Sequence, residues 1–144
     1  MLKWVSGLAF LLMVAGIAGL FYVGAFFAPR PWVIAVQVAA IALMVAGRLA
    51  FGIRSFHATA NPTSGGVIST GPYRYLRHPI YSAVIYFTAA GVANHFSLRA
   101  LLFGLLVLIG GVMRMLLEER LLVARYPEYR DYMKGTKRII PFVL

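Results

Sequence analysis

Apolar residues form long, nearly uninterrupted runs along this chain. Residues 4–27 carry no charge, residues 32–53 carry one arginine near their end, and residues 98–117 carry two arginines in an otherwise apolar run. A helix rises about 1.5 Å per residue and the hydrocarbon core of a bilayer is about 30 Å thick, so each run is long enough to cross it. The pattern therefore predicts three transmembrane helices.

A fourth apolar run covers residues 79–94 and is shorter. It ends at His95-Phe96-Ser97, which is typical of a tight turn leading into the run at 98–117. We expect these two runs to form a hairpin, like the first two, although residues 79–94 are short for a full crossing. The predicted fold is all-α: an integral membrane helical bundle of four transmembrane helices in two hairpins, in a single domain over residues 1–144.

Two segments break the apolar pattern. Residues 54–78 are rich in glycine, proline and polar residues and have no helical or alternating period, so they are predicted to form a loop. Residues 118–144 hold all four acidic residues of the chain. Apolar positions at the start of this tail follow a helical rhythm, so the last span is expected to run on to about Lys134 as an amphipathic helix.

Composition and charge favour a membrane protein and indicate its orientation. The chain is 61% hydrophobic and 12% charged, whereas soluble domains are about 45–50% apolar and about 25% charged. Its net charge of +10 would suggest a nucleic-acid partner in a soluble protein. Here most basic residues lie in the 54–78 loop and the 118–144 tail, and basic residues gather on the cytoplasmic side of membrane proteins. We therefore predict cytoplasmic termini and a cytoplasmic loop, with membrane lipids and no nucleic acid as partners.

The sequence excludes several kinds of chemistry. The chain has no cysteine, which rules out disulfides, thiolate metal sites and thiol catalysis. Its histidine and acidic residues do not have metal-ligand spacing, and we predict no metal. Glycine-rich nucleotide-binding motifs and the nucleophile motif of hydrolases are missing as well.

Three charged residues lie where the last span should leave the membrane. Arg114 and Glu118 are four residues apart on one helix face and can form an intrahelical ion pair. Glu119 points about 100° away from Glu118, so one ion pair cannot account for both carboxylates. We expect another group to meet the second carboxylate.

The segment GPYRYLRHPIY, residues 71–81, places aromatic and basic side chains directly before the third apolar run. His78 precedes Pro79, whose fixed φ and missing N–H suit the first position of a helix, so His78 is expected at the N-terminal end of that helix. The predicted topology brings this segment and the glutamate pair to one side of the membrane. A capping histidine and an interfacial belt of tyrosines are the structural alternatives to a binding site.

The second half of the chain resembles the isoprenylcysteine carboxyl methyltransferase family in four motifs: GPYRYLRHPIY at 71–81, the Glu118-Glu119 pair, YPEYRDY at 126–132 and RIIP at 138–141. Related phospholipid methyltransferases share this pattern. The resemblance covers residues 65–142, and the first two spans match only in being apolar. Ala83 and Pro127 stand where the family commonly has glycine.

The resemblance implies an integral membrane enzyme that uses S-adenosylmethionine, methylates a lipophilic acceptor and releases S-adenosylhomocysteine. By this resemblance the cofactor pocket comprises Tyr73, Arg77, His78, Tyr81, Glu118 and Glu119. Arg114 matches a family arginine that serves the acceptor carboxylate, and is the catalytic candidate. The favoured acceptor is a carboxylate of the isoprenylcysteine type. A phospholipid amine or a small hydrophobic thiol or acid also fits, and the oligomeric state is left open.

Two other classes of function are compatible with the sequence. An NADPH-dependent membrane reductase of the steroid-reductase type would have a similar helical layout and terminal tail. A non-enzymatic membrane subunit would use small residues, such as Gly104, Gly110 and Gly111, to pack against a partner. The second alternative leaves the adjacent glutamates without a purpose.

Overall fold

The computed structural model describes residues 2–52 and 66–141 of the chain. Over these residues the protein is all-helical, with five α-helices, a short 3₁₀ helix at Gly71–Arg74 and no β-strand. The helices are α1 (Leu2–Tyr22), α2 (Pro31–Phe51), α3 (Pro79–Asn94), α4 (Leu98–Arg125) and α5 (Tyr129–Gly135). The all-α prediction is confirmed for this part of the chain. Residues 53–65, much of the predicted loop, lie outside it.

Three of these helices, α1, α2 and α4, are long and apolar enough to cross a membrane. Helix α3 has the predicted bounds, but its 16 residues extend only about 24 Å at about 1.5 Å per residue. That is less than the roughly 30 Å hydrocarbon core of a bilayer. The described residues therefore contain three helices of spanning length, where the sequence predicted four spans.

Helix α1 ends at Tyr22, whereas the apolar run predicted a helix up to Phe27. The cause is a glycine C-cap: Gly24 has φ +69°, its amide donates to the carbonyl of Phe21, and the amide of Ala25 donates to the carbonyl of Leu20. These two bonds form a Schellman motif, which satisfies the last carbonyls of a helix. Hydrophobicity does not reveal this end because the residues after the cap are as apolar as those before it.

The helices do not pack as two sequential hairpins. Helix α1 packs mainly against α4, and α2 packs mainly against α3, while α3 and α4 connect the two pairs. The loop between α1 and α2 is tied to the bundle by Gln37 of α2, whose side-chain amide donates to the carbonyl of Phe26 at 2.8 Å. The turn between α3 and α4 forms the predicted hairpin, and Ser97 caps α4 by accepting a hydrogen bond from the amide of Ala100. The first predicted hairpin is replaced by pairing across the bundle.

Glycines on α4 allow its neighbours to approach closely. A Cβ atom on Gly110 would lie 2.5 Å from the carbonyl oxygen of Ala9 in α1, and one on Gly104 would lie 2.9 Å from Val92 in α3. Close backbone approach at small residues is the usual way in which membrane helices pack. Gly104 and Gly110, predicted as partner contacts for a membrane subunit, therefore serve contacts within the chain.

Helix α4 continues past residue 117 to Arg125, but the predicted helix to Lys134 is interrupted. Tyr126 is extended, with φ −125° and ψ 100°, because the ring of Pro127 disfavours a helical conformation in the residue before it. A separate helix, α5, follows. The chain then returns to the 71–81 segment, where Lys137 and Leu76 form an isolated parallel bridge.

Candidate functional site

The candidate site lies where the start of α3, the last third of α4 and the C-terminal residues meet. Pro79 is the first residue of α3 and His78 is its N-cap, as the sequence predicted. The backbone carbonyl of His78 accepts hydrogen bonds from the amide and the hydroxyl of Ser82, at 2.9 and 3.0 Å. The imidazole is not used for capping, and it is buried in the direction of α4.

Glu118 forms one half of the site together with Tyr81 and Arg114. The hydroxyl of Tyr81 donates to Oε1 of Glu118 at 2.5 Å, and it accepts a hydrogen bond from Nε of Arg114 at 2.8 Å. Nη2 of Arg114 lies 3.6 Å from the same carboxylate oxygen, so the predicted ion pair within α4 is present. The three groups form a directed chain in which the arginine, the phenol and the carboxylate polarise one another.

Glu119 forms the other half and is met by three basic side chains. Its carboxylate accepts from Nε of Arg77 at 2.9 Å and lies 3.2 Å from Nε2 of His78. Arg138 donates to it through both Nε, at 3.0 Å, and Nη2, at 2.9 Å. The expectation that another group meets the second carboxylate is confirmed, and the contacts come from two distant segments of the chain.

The two carboxylates share His78 but differ in access. Nδ1 of His78 lies 3.9 Å from Oε2 of Glu118, while Nε2 faces Glu119. The side chain of Glu118 is 26% exposed and that of Glu119 is 5% exposed. Glu118 therefore presents the accessible carboxylate of the cluster.

Arg114 is buried and lies close to two aromatic rings. Its guanidinium carbon lies 5.4 Å from the ring centre of Phe10 in α1 and 5.9 Å from that of Tyr81 in α3. Such distances allow cation–π attraction, which is stronger where water is excluded. Helix α1 thus contributes to the site, although it lies outside the part of the sequence that carries the family resemblance.

Tyr73 lies on the side of the site that faces α2. Its ring centre is 5.7 Å from that of Phe51, and its backbone carbonyl accepts a hydrogen bond from the hydroxyl of Tyr132 at 2.6 Å. Burial, and then the charge of Glu118, raise the pKa of the Tyr73 phenol well above its usual range. The other six predicted site residues form two hydrogen-bonded groups of three, one around Glu118 and one around Glu119, and the two groups meet at His78.

Arg138 is the residue of this cluster that sequence reasoning did not assign to the site. Arg138 belongs to the RIIP motif at residues 138–141, and no spacing within the chain relates residue 138 to Glu119. A usable signal was the second carboxylate on α4, which lacked a partner on its own helix. A basic residue in the tail is a natural candidate for that partner because a buried carboxylate is costly unless it is paired.

The arrangement can bind a cation or hydroxyl groups at Glu118 and an anion at the arginines. In residues 2–52 and 66–141, no group of three or more histidine, cysteine or acidic side chains is placed to hold a metal ion. Comparison of the chain with protein-family models, with curated proteins and with solved structures found no match. The chemistry of the site has to be derived from its own residues.

Proposed function

We propose that this chain is an integral membrane methyltransferase that uses S-adenosylmethionine and methylates a lipophilic acceptor at the cytoplasmic interface. The favoured acceptor is a carboxylate of the isoprenylcysteine type. In this proposal α3 completes a four-span topology with cytoplasmic termini, since the basic tail and the basic part of the 71–81 segment lie together. A short helix can be accommodated by local thinning of the bilayer.

The observation that carries the proposal is the accessible carboxylate of Glu118, held beside His78 and Tyr81 at the end of an apolar span. S-adenosylmethionine carries an ammonium group, a ribose diol, a carboxylate and a sulfonium, so its site needs acceptors for the first two and donors for the third. Glu118 supplies acceptor oxygens in a mostly buried place. A water-soluble cofactor and a lipid-soluble acceptor can meet only where both solvents are within reach.

Arg114 is suited to hold the carboxylate of the acceptor. Inserting a charged side chain into a membrane costs about 2.5–3.5 kcal/mol of free energy on insertion scales when the side chain lies at the helix centre. An arginine within an apolar span therefore needs a structural or functional reason. The contacts of Arg114 with Tyr81, Glu118 and Phe10 stabilise the guanidinium. Its planar donors also match a carboxylate geometrically.

The proposed reaction is an in-line displacement. A carboxylate oxygen of the acceptor forms a bond to the methyl carbon of the cofactor, while the carbon–sulfur bond breaks and its electron pair stays on sulfur. The products are a methyl ester and the neutral thioether S-adenosylhomocysteine. Opposite charges are cancelled and no proton is transferred, so the protein needs to position the reactants and exclude water but does not need a general base.

Calorimetry on the detergent-purified protein tests the proposal, with S-adenosylhomocysteine and NADPH as the two ligands. Binding of S-adenosylhomocysteine that is lost in Glu118→Gln and kept in Glu128→Gln supports it, because Glu128 is an exposed carboxylate outside the cluster. Binding of NADPH alone would instead indicate a reductase of the steroid-reductase type. Binding of neither ligand would favour a non-enzymatic subunit.

A transfer assay identifies the acceptor class. The protein would be incubated with radiolabelled S-adenosylmethionine and total membrane lipids, and the labelled product would be identified. A base-labile methyl ester is expected for a carboxylate acceptor. A labelled phospholipid headgroup or a labelled thioether would redirect the proposal to an amine or a thiol.

A further inference from the structure

The two adjacent glutamates differ in how much acceptor capacity they have left. Four N–H groups converge on Glu119: one from Arg77, one from His78 and two from Arg138. An ionised carboxylate has about four lone-pair sites, so these donors fill it. The side chain of Glu119 is also 5% exposed. It has neither the room nor the lone pairs to receive an ammonium or hydroxyl group of a ligand.

Glu118, in contrast, keeps acceptor capacity for a ligand. Its Oε1 accepts from Tyr81 and lies near Arg114. Within the described residues, the side-chain nitrogen that faces Oε2 is Nδ1 of His78, at 3.9 Å, which is beyond hydrogen-bond distance. Glu118 therefore retains an oxygen that a ligand can approach.

We infer that Glu119 is a positioning residue and not a cofactor ligand: it fastens the C-terminal segment, residues 129–141, to the 71–81 segment and orients His78 toward Glu118. The consequence for cofactor binding rests on the proposed function, whereas the fastening itself does not. This assignment differs from the expectation that both glutamates bind the cofactor.

The C-terminal segment is attached to the 71–81 segment by backbone bonds. The amide of Arg77 donates to the carbonyl of Lys137 at 2.7 Å, and the amide of Lys137 donates to the carbonyl of Tyr75 at 3.0 Å. Nη1 of Arg77 also donates to the carbonyls of Met133 and Thr136, at the end of α5. A basic side chain at this place stabilises the C-terminal end of a helix. The guanidinium that binds Glu119 thus also holds α5.

Two tyrosines attach the C-terminal segment at either side of this contact. The hydroxyl of Tyr132 donates to the carbonyl of Tyr73, and the hydroxyl of Tyr86 in α3 donates to the carbonyl of Ile139. Burial raises the pKa of Tyr132 to about 12, so its hydroxyl remains a hydrogen-bond donor well above neutral pH. The side chain of Glu119 lies at the centre of these attachments, because it accepts hydrogen bonds from both Arg77 and Arg138.

Glu119 also determines how the imidazole of His78 is presented. Carboxylate oxygens only accept hydrogen bonds, so the ring nitrogen that faces Glu119, Nε2, carries a hydrogen. Nδ1 is consequently turned toward Glu118. Removing the charge of Glu119 is expected to release both the C-terminal segment and the ring.

Hydrogen exchange of the detergent-purified protein without ligand tests the fastening. In Glu119→Gln and in Arg138→Gln, exchange in the peptide that contains Lys137 is expected to rise by tenfold or more, since charge-assisted hydrogen bonds are lost. Two controls should leave it unchanged. Glu118→Gln alters the adjacent carboxylate, and Lys134→Gln removes an ion pair with Asp131 whose side chains are 78% and 79% exposed. Exchange at Lys137 that stays at the parent rate in both Glu119→Gln and Arg138→Gln would overturn the inference.

A cysteine pair separates positioning from direct binding. The chain has no native cysteine, so Leu76→Cys with Lys137→Cys would introduce a single disulfide between the bridge-paired positions. The oxidised and reduced forms of this pair are compared in the Glu119→Gln background by their affinity for S-adenosylhomocysteine. We expect the oxidised form to regain affinity by tenfold or more, because the covalent bond replaces the fastening. Equal affinity of the two forms, with disulfide formation verified by mass, would show that Glu119 acts on the ligand itself.

The same variants distinguish failure of the inference from failure of the proposed function. If the parent does not bind S-adenosylhomocysteine, the proposed function fails, and the exchange measurement still decides whether Glu119 holds the C-terminal segment. If Glu119→Gln does not fold, Arg138→Gln carries the test, because the Arg138 side chain is 40% exposed and its loss leaves Arg77 and His78 on the carboxylate. Arg138→Lys, which keeps a cation there, should restore part of the protection.

Discussion

The guanidinium of Arg114 in α4 lies against the ring of Phe10 in α1, 5.4 Å from its centre. Phe10 is partly exposed on the outer surface of the bundle, while Arg114 is buried beneath it. An aromatic ring from the N-terminal helix therefore lies between a buried cation and the outer surface of the bundle. This contact extends the site to a helix whose sequence carries no polar motif.

Phe10→Ala is expected to weaken methyl transfer while leaving S-adenosylhomocysteine affinity unchanged. The substitution removes a cation–π contact worth about 1 kcal/mol and opens Arg114 to the surroundings of the bundle. Turnover with a lipophilic acceptor and calorimetry with S-adenosylhomocysteine are the two measurements. Leu11→Ala is the matched control, because Leu11 is the next residue of α1 and is exposed. Equal turnover of the two variants would exclude a role for Phe10 at the site.

Tyr81→Phe is expected to lower S-adenosylhomocysteine affinity by about tenfold, in keeping with the loss of a hydrogen bond to a charged group. The hydroxyl both donates to Glu118 and accepts from Arg114, and the ring that packs beside His78 is kept. Calorimetry measures the change. Tyr22→Phe serves as the control, since Tyr22 is exposed at the far end of α1. Unchanged affinity in Tyr81→Phe would mean that the carboxylate of Glu118 needs no orientation.

Arg114→Ala is expected to reduce methyl transfer at least tenfold with cofactor affinity nearly intact, because the guanidinium is assigned to the acceptor and not to the cofactor. Its 3.6 Å contact with Glu118 can spread a small effect to cofactor binding. Initial rates at saturating S-adenosylmethionine separate the two effects. Arg120→Ala, at an exposed position of the same helix, is the control. Unaltered turnover would mean that Arg114 serves only in a structural ion pair with Glu118.

Gly110→Ala is expected to destabilise the protein by about 1–3 kcal/mol, as overpacking of a close contact does. Its Cβ would lie 2.5 Å from the carbonyl oxygen of Ala9, a backbone atom that cannot move without shifting α1. Gly111→Ala is a stringent control at the next position, where the Cβ would lie at an ordinary 3.6 Å from Ile85. Thermal unfolding in detergent compares the two variants. A midpoint for Gly110→Ala at or above that of Gly111→Ala would contradict the close approach of α1 and α4.

Several local features of the fold were predictable because they depend on neighbouring residues. Long apolar runs predicted α1, α2, α3 and α4, and Pro79 predicted the start of α3 with His78 directly before it. The same holds for the ion pair between Arg114 and Glu118, since their spacing places them on one helix face. Such inferences need only helix geometry and hydrophobicity.

Two features of the fold were not predictable from hydrophobicity. Hydropathy did not end α1 at Tyr22, because the Schellman motif that ends it depends on the backbone conformation of Gly24 and not on polarity. It did not pair α1 with α4 either, because apolar helix surfaces are alike and the fit of glycines to a neighbouring backbone selects the partner.

By itself the amino-acid sequence determined that this is an apolar, helical chain with a few charged residues near the ends of its long helices. Only the tertiary structure decided what those charges do. In the fold, Glu119 is surrounded by basic groups from distant segments, whereas Glu118 stays accessible. The sequence does not reveal this difference, because a buried charge needs partners and the partners of Glu119 are separated from it by many residues of chain.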